Sequence, residues 1–185
     1  MTDVSRRKFI AAAGVGAASV WLTLEAHELL ALGAQAAQAK QFTVLSAQDA
    51  ADIEAAAAQI IPTDDTPGAR EARVIYFIDR ALGTVAKDQR PVFENGAKEL
   101  RARAAKAQPG AKSFAALAND KQMAIIAALE KEKSGFFFAL RYGTIAGMLG
   151  HPDQGANYNK VGWKLIGFDD RFSWSAPFGW YDRNA

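Results

Sequence analysis

The sequence predicts an all-α fold: a small helical bundle of about five helices, closed by an irregular, aromatic-rich C-terminal tail. Three observations predict it. Apolar residues recur at three- and four-residue spacing in successive segments between residues 47 and 148. Proline and glycine clusters punctuate those segments at 62–68, at 109–110 and again beyond Gly150. No apolar–polar alternation longer than four residues follows Val44, so no half-buried strand is expected.

Residues 1–39 read as an export leader. Arg6, Arg7 and Lys8 precede an uncharged stretch of 16 residues (9–24) that is rich in alanine and glycine. Small-residue cleavage patterns follow at Ala34-Gln35-Ala36 and Ala37-Gln38-Ala39. Within the basic cluster, Ser5-Arg6-Arg7-Lys8-Phe9-Ile10 resembles the twin-arginine motif, S-R-R-x-F plus an apolar residue, of signals that carry folded proteins. A retained membrane anchor is the competing reading. The stretch falls short of the ~20 residues a spanning helix needs, and Gly14 and Gly16 interrupt it.

Residues 40–150 form the predicted bundle. Phe42 to Leu45 is a short extended lead-in, and Ser46-x-x-Asp49 opens a first helix in the manner of a capping box. That helix presents Ile53, Ala56, Ala57, Ile60 and Ile61 and stops at Pro62. A second helix spans 69–86 with Val74, Ile75, Ile78, Ala81 and Leu82 on one face. A third, more polar, covers 91–106. A short turn carries Phe114 and Leu117. Asn119 or Asp120 then caps a fourth helix to 131, presenting Met123, Ile126, Ala127 and Leu129. A fifth starts near Ser134 and carries Phe137, Phe138, Leu140, Arg141, Ile145 and Met148. Residues 151–185 read as loop and tail. The last 18 residues hold Phe168, Phe172, Trp174, Phe178, Trp180 and Tyr181, a density of rings that must be buried on the bundle or on another chain.

Composition narrows the chemistry. With no cysteine there is no disulfide, thiolate metal site, covalent haem or cysteine nucleophile. Two histidines, His27 and His151, leave little room for a catalytic triad or a multi-histidine metal centre. A net charge of +2 gives no electrostatic footprint for nucleic acid. His151 reads as an exposed or hydrogen-bonded loop residue, and the pairs Asp64-Asp65 and Asp169-Asp170 as turn and cap formers. No residue is assigned to catalysis, cofactor or metal, which favours a partner protein over an enzyme.

Several motifs together carry a resemblance. They are Ile60-Ile61-Pro62-Thr63-Asp64-Asp65-Thr66-Pro67-Gly68-Ala69, then Phe77-Ile78-Asp79, then the aromatic helix from Phe137 to Ile145. The last is Pro152-x-x-Gly155-x-Asn157 followed by Gly162-Trp163-x-x-Ile166-Gly167-Phe168. On these, residues 42–168 resemble the gluconate 2-dehydrogenase subunit 3 family, the small, twin-arginine-bearing subunits of periplasmic FAD-dependent sugar and alcohol dehydrogenases. Ala156 departs from the pattern: it stands where the family usually has a second glycine, and a positive φ there would strain it. The resemblance implies a non-catalytic subunit. Its larger partner, of the glucose-methanol-choline oxidoreductase type, would carry FAD and the chemistry, and a multihaem cytochrome c subunit would take the electrons at the inner membrane. The small subunit would help the partner fold and escort it through the twin-arginine translocase to the periplasm.

The residues expected to meet that partner are Asn157, Trp163, Phe168, Phe172, Trp174, Phe178, Trp180 and Tyr181. Each has a simpler alternative. Asn157 would pin its own loop by backbone hydrogen bonds, and the rings would cover the chain's own bundle. Two other functions fit the same residues. One is a structural subunit with no export role; the other is a stand-alone periplasmic enzyme or ligand binder built on His151 and the carboxylates.

Overall fold

The computed structural model describes residues 42–171. Among them are six α-helices and no strand. The helices are α1 (Ala47–Ile60), α2 (Val74–Gly83), α3 (Arg90–Ala107), α4 (Asn119–Lys131), α5 (Gly135–Leu149) and α6 (Val161–Ile166). The leader and the rings of Phe172, Trp174, Phe178, Trp180 and Tyr181 lie outside the described residues.

Helix α5 is the centre of the bundle, and α1, α2, α3, α4 and α6 all pack on it. Its sequence explains why. Phe136, Phe137, Leu140, Gly143, Thr144, Gly147 and Met148 recur every three or four residues and are buried, so the helix is apolar around much more than one stripe. The one polar member, Thr144, is fully buried and donates its hydroxyl to the Leu140 carbonyl at 2.7 Å. Around α5 sit Ile53 of α1, Ile75 and Ile78 of α2, and Phe93 and Leu100 of α3, each at most 2% exposed. The Phe93 ring meets Phe136 edge to face at 5.9 Å. Burying a side chain of this size stabilises by roughly 1.5–3 kcal/mol.

The predicted capping box of α1 is present: the Ser46 hydroxyl accepts the Asp49 amide at 3.1 Å. Helix α2 begins at Val74, five residues later than its periodicity suggests. The chain first makes a turn in which Ala69 donates to the Ile61 carbonyl at 2.8 Å, and Arg73 adopts a left-handed φ of 53° that ends the turn. Neither Asn119 nor Asp120 caps α4. Ala118, which has no polar side chain, holds that position; Asn119 is the first helical residue, and its side-chain Oδ1 accepts from Gln59 at 2.8 Å. The inward face of α4 is Gln122, Ile125, Ile126 and Leu129, while Met123 is 45% exposed and Ala127 is exposed. Buried Gln122 turns the helix this way by donating to the carbonyls of Phe114 and Leu117, both at 3.1 Å.

Two buried carboxylates tie loops to helices. Asp79 on α2 is 2% exposed and accepts the amides of Thr43, Val44 and Leu45 and the Thr43 hydroxyl at 2.7–3.0 Å. The lead-in is therefore a series of bends hung on one side chain rather than an extended segment. Asp52 on α1 is fully buried; it accepts the Ala115 amide at 2.9 Å and Arg101 of α3 at 3.1 Å. Arg101 also reaches Asp49 at 2.7 Å, so α1 and α3 are joined by a guanidinium shared between two carboxylates.

Asp79→Ala leaves three backbone amides without their acceptor and should cost about 3 kcal/mol or more in urea unfolding. Asp79→Asn should cost less, because it keeps one acceptor oxygen, although its NH₂ group then faces amide donors and bonds none of them. Burial pushes the Asp49 carboxyl up, but the Ser46 hydroxyl and Arg101 outweigh it and hold the group below its usual range. A folded pKa below the unfolded one stabilises when the group is ionised, so this contribution is complete above about pH 4 and is lost as pH falls through the folded value. Asp49→Asn should therefore flatten the acid limb of stability against pH, measured by urea midpoints between about pH 4 and 2.

Candidate partner interface

Beyond α5 the chain turns back on itself through two short 3₁₀ turns, Pro152–Gln154 and Tyr158–Lys160, before α6. Asn157 ties this return together. It is fully buried, with φ 49°, a left-handed conformation that asparagine accepts more readily than most residues. Its amide donates to the Gly147 carbonyl at 2.6 Å, and its side-chain Oδ1 accepts the Gly162 amide at 2.7 Å. Its Nδ2 is buried with no hydrogen-bond partner among the described residues, a cost of about 1–3 kcal/mol that the other bonds must offset. The structure thus places Asn157 inside the chain, pinning the loop.

Gly162 shows how closely α6 meets α5. A Cβ there would sit 1.9 Å from the Met148 carbonyl oxygen, so only glycine lets the two helix ends touch. The contact brings the Trp163 indole N–H onto the Leu149 carbonyl at 2.7 Å. Trp163 is 8% exposed and stands between two rings, His151 at 5.4 Å and Phe168 at 4.9 Å, both edge to face. Helix α6 ends at Gly167, φ 71°, with the Phe168 amide donating back to the Trp163 carbonyl at 2.8 Å, a Schellman-type closure. Ile166 and Phe168 are left 41% and 46% exposed.

Asn157, Trp163 and Phe168 are thus brought together at one end of the bundle, with a buried knot, a buried indole and an exposed ring in sequence. The expectation that Ala156 strains the loop is not met. Gly155 takes the left-handed position at φ 78°, while Ala156 has no positive φ and is buried against the loop. His151 and Asp64 make the loop and turn contacts expected of them, whereas Asp169 and Asp170 form ion pairs and not the expected turn or cap. Exposed His151 accepts the Asp153 amide on Nδ1 at 3.2 Å. Asp64 accepts the Thr66 amide at 2.9 Å in a turn. Asp170 pairs with Lys160 at 2.7 Å and Asp169 with Arg171. Among the described residues no group of three or more histidine, aspartate or glutamate side chains is placed to hold a metal ion, and no helix is long and apolar enough to cross a membrane.

Sequence reading missed two contributors. The Arg73 guanidinium lies 3.8 Å over the Tyr158 ring, and Tyr158 donates its amide to the Ala72 carbonyl at 3.3 Å. These contacts join the turn before α2 to the loop before α6, positions 85 residues apart that no local pattern connects. Asn157→Ala removes the Gly162 acceptor and puts a Cβ-bearing residue with no polar side chain at positive φ. It should cost about 2–4 kcal/mol by denaturant unfolding, and Asn157→Gly about 1 kcal/mol less, since glycine takes the same φ without strain.

A family model described as gluconate 2-dehydrogenase subunit 3 matches residues 47–170. No curated protein and no solved structure matches the chain. The family match runs from the first residue of α1 to the Asp170 partner of Lys160 and takes in the whole of the bundle and the Asn157 return. It extends over about two-thirds of the chain, and on it the protein belongs to the gluconate 2-dehydrogenase subunit 3 family, a family of subunits of a dehydrogenase complex.

Proposed function

We propose that this chain is the non-catalytic small subunit of a periplasmic FAD-dependent sugar or alcohol dehydrogenase, serving its catalytic subunit as folding partner and export escort. The observation that carries the reading is a twin-arginine leader, Ser5 to Ile10, on a chain that belongs to a family of dehydrogenase subunits. A signal of this kind moves folded cargo, and a flavoprotein that takes up FAD in the cytoplasm needs such a route. The chain makes and breaks no bond itself. FAD resides in a partner of the glucose-methanol-choline type, and haem c in a cytochrome subunit that ties the complex to the inner membrane.

The docking surface is the C-terminal end of the bundle. Trp163 and exposed Phe168 lead into Phe172, Trp174, Phe178, Trp180 and Tyr181, the residue types that anchor stable interfaces. Asn157, fully buried in the loop before α6, shapes this end of the bundle rather than touching the partner. An obligate interface of this kind buries on the order of 2,000 Å² or more.

Replacing Arg6 and Arg7 by lysine in cells that make both subunits should leave the flavoprotein folded in the cytoplasm and lower periplasmic dehydrogenase activity at least about tenfold. Cell fractionation with a flavin absorbance scan reads both. Normal periplasmic amounts of the large subunit would rule out the escort role and favour a structural subunit beside a flavoprotein with its own signal.

A further inference from the structure

We propose that Arg73 is the polar anchor of the docking surface, a guanidinium held ready for a carboxylate on the dehydrogenase subunit. The inference rests on the partnership proposed above and adds to it the chemistry of one contact.

Five of the described arginines, Arg70, Arg90, Arg101, Arg103 and Arg171, close ion pairs with carboxylates of this chain. Exposed Arg73 has no carboxylate within ion-pair distance and no hydrogen bond from its side chain among the described residues; its guanidinium is held against the Tyr158 ring alone. A ring holds the flat side of a guanidinium and leaves its N–H edges free. Lys160, the nearby cation two residues past Tyr158, is already matched by Asp170.

Both halves of the stack are fixed by backbone. Five non-glycine residues among those described have positive φ. One, Lys133, follows a helix end; the other four are Arg73 itself and Asn157, Asn159 and Lys160 around Tyr158. Side chains other than glycine rarely occupy this region, and where they cluster the surrounding structure must hold them there. The product of that constraint is an arginine whose orientation is set before any partner arrives. A planar fork with its rotamers already restricted suits a bidentate carboxylate, and arginine and tyrosine are over-represented among the residues that dominate interfaces. The chain leads from the stack to the aromatic surface within a few residues: Lys160, two positions past Tyr158, lies 5.8 Å from the Trp163 ring, which meets Phe168 edge to face.

The test is a titration of the full chain against the purified flavoprotein subunit, by calorimetry at 50 and 500 mM sodium chloride. Arg73→Gly removes the fork and relieves the positive φ; Arg73→Lys keeps the charge and loses the planar fork. Both should weaken binding at least about tenfold at low salt; Arg73→Gly should also bind with a shallower salt dependence than the unmodified chain, whereas Arg73→Lys, which keeps the charge, should retain it. The melting temperature of Arg73→Gly should stay within about 3 °C of the parent. Parent-like affinity in either variant overturns the proposal, as does an affinity loss in Arg73→Gly that appears only with a melting temperature lowered by more than that. An unmodified chain that does not bind the flavoprotein overturns the partnership itself, and this contact with it.

Discussion

The Asp79 carboxylate accepts three backbone amides and a hydroxyl from residues 43–45 in a site only 2% exposed to solvent. An ionised group so deeply placed is tolerable only when its lone pairs are matched. Here the matching donors come from the first described residues of the chain, 34 to 36 positions away. Neither side is content without the other: the lead-in has no ladder or helix to take its amides, and the carboxylate is closed off from bulk solvent. Asp52 repeats the device with Ala115 and Arg101. The helices of this bundle are apolar enough to find one another, but the lead-in before α1 and the loop at Ala115 take their positions from these two aspartates.

Much of this was legible in the sequence, and the failures share a cause. Helices α1, α3 and α5 lie where their three- and four-residue spacing puts them, with the Ser46 cap in place. Helix α2 begins late because Arg73 takes a conformation that no propensity assigns to arginine. The face of α4 was misread because Met123 looks like core and Gln122 does not. In the folded chain Gln122 satisfies the carbonyls of the preceding loop, and the methionine is turned outward. Helix α6 escaped notice because six residues between glycines show no periodicity. At the candidate interface, Asn157, Trp163 and Phe168 were visible as motif residues, but the burial of the first and the exposure of the last were not. The Arg73–Tyr158 stack was invisible, since only tertiary structure brings its halves together.

The disposition of charge separates the work of the two ends. Arg101 is committed to carboxylates of α1, and Arg103 to Glu99 on its own helix and to Glu132 at the end of α4. Binding to Glu132 and Glu99 holds Arg103 more firmly protonated still. Such residues make the bundle rigid and offer little to a partner. The end that carries Tyr158, Trp163 and Phe168 is built of rings, with hydrogen bonds kept beneath them. A subunit whose role is to present a surface needs this contrast, because a mobile scaffold would spend part of any docking energy on ordering itself.

Gly167 then acquires a meaning beyond ending a short helix. With φ at 71° and the Phe168 amide bonded back to Trp163, it sets the direction in which Phe168 leaves α6. A β-carbon at this one position would meet no atom within 4 Å, yet the positive φ would strain it, so its effect would fall on the closure that holds Phe168 beside Trp163 and not on the packing of the bundle.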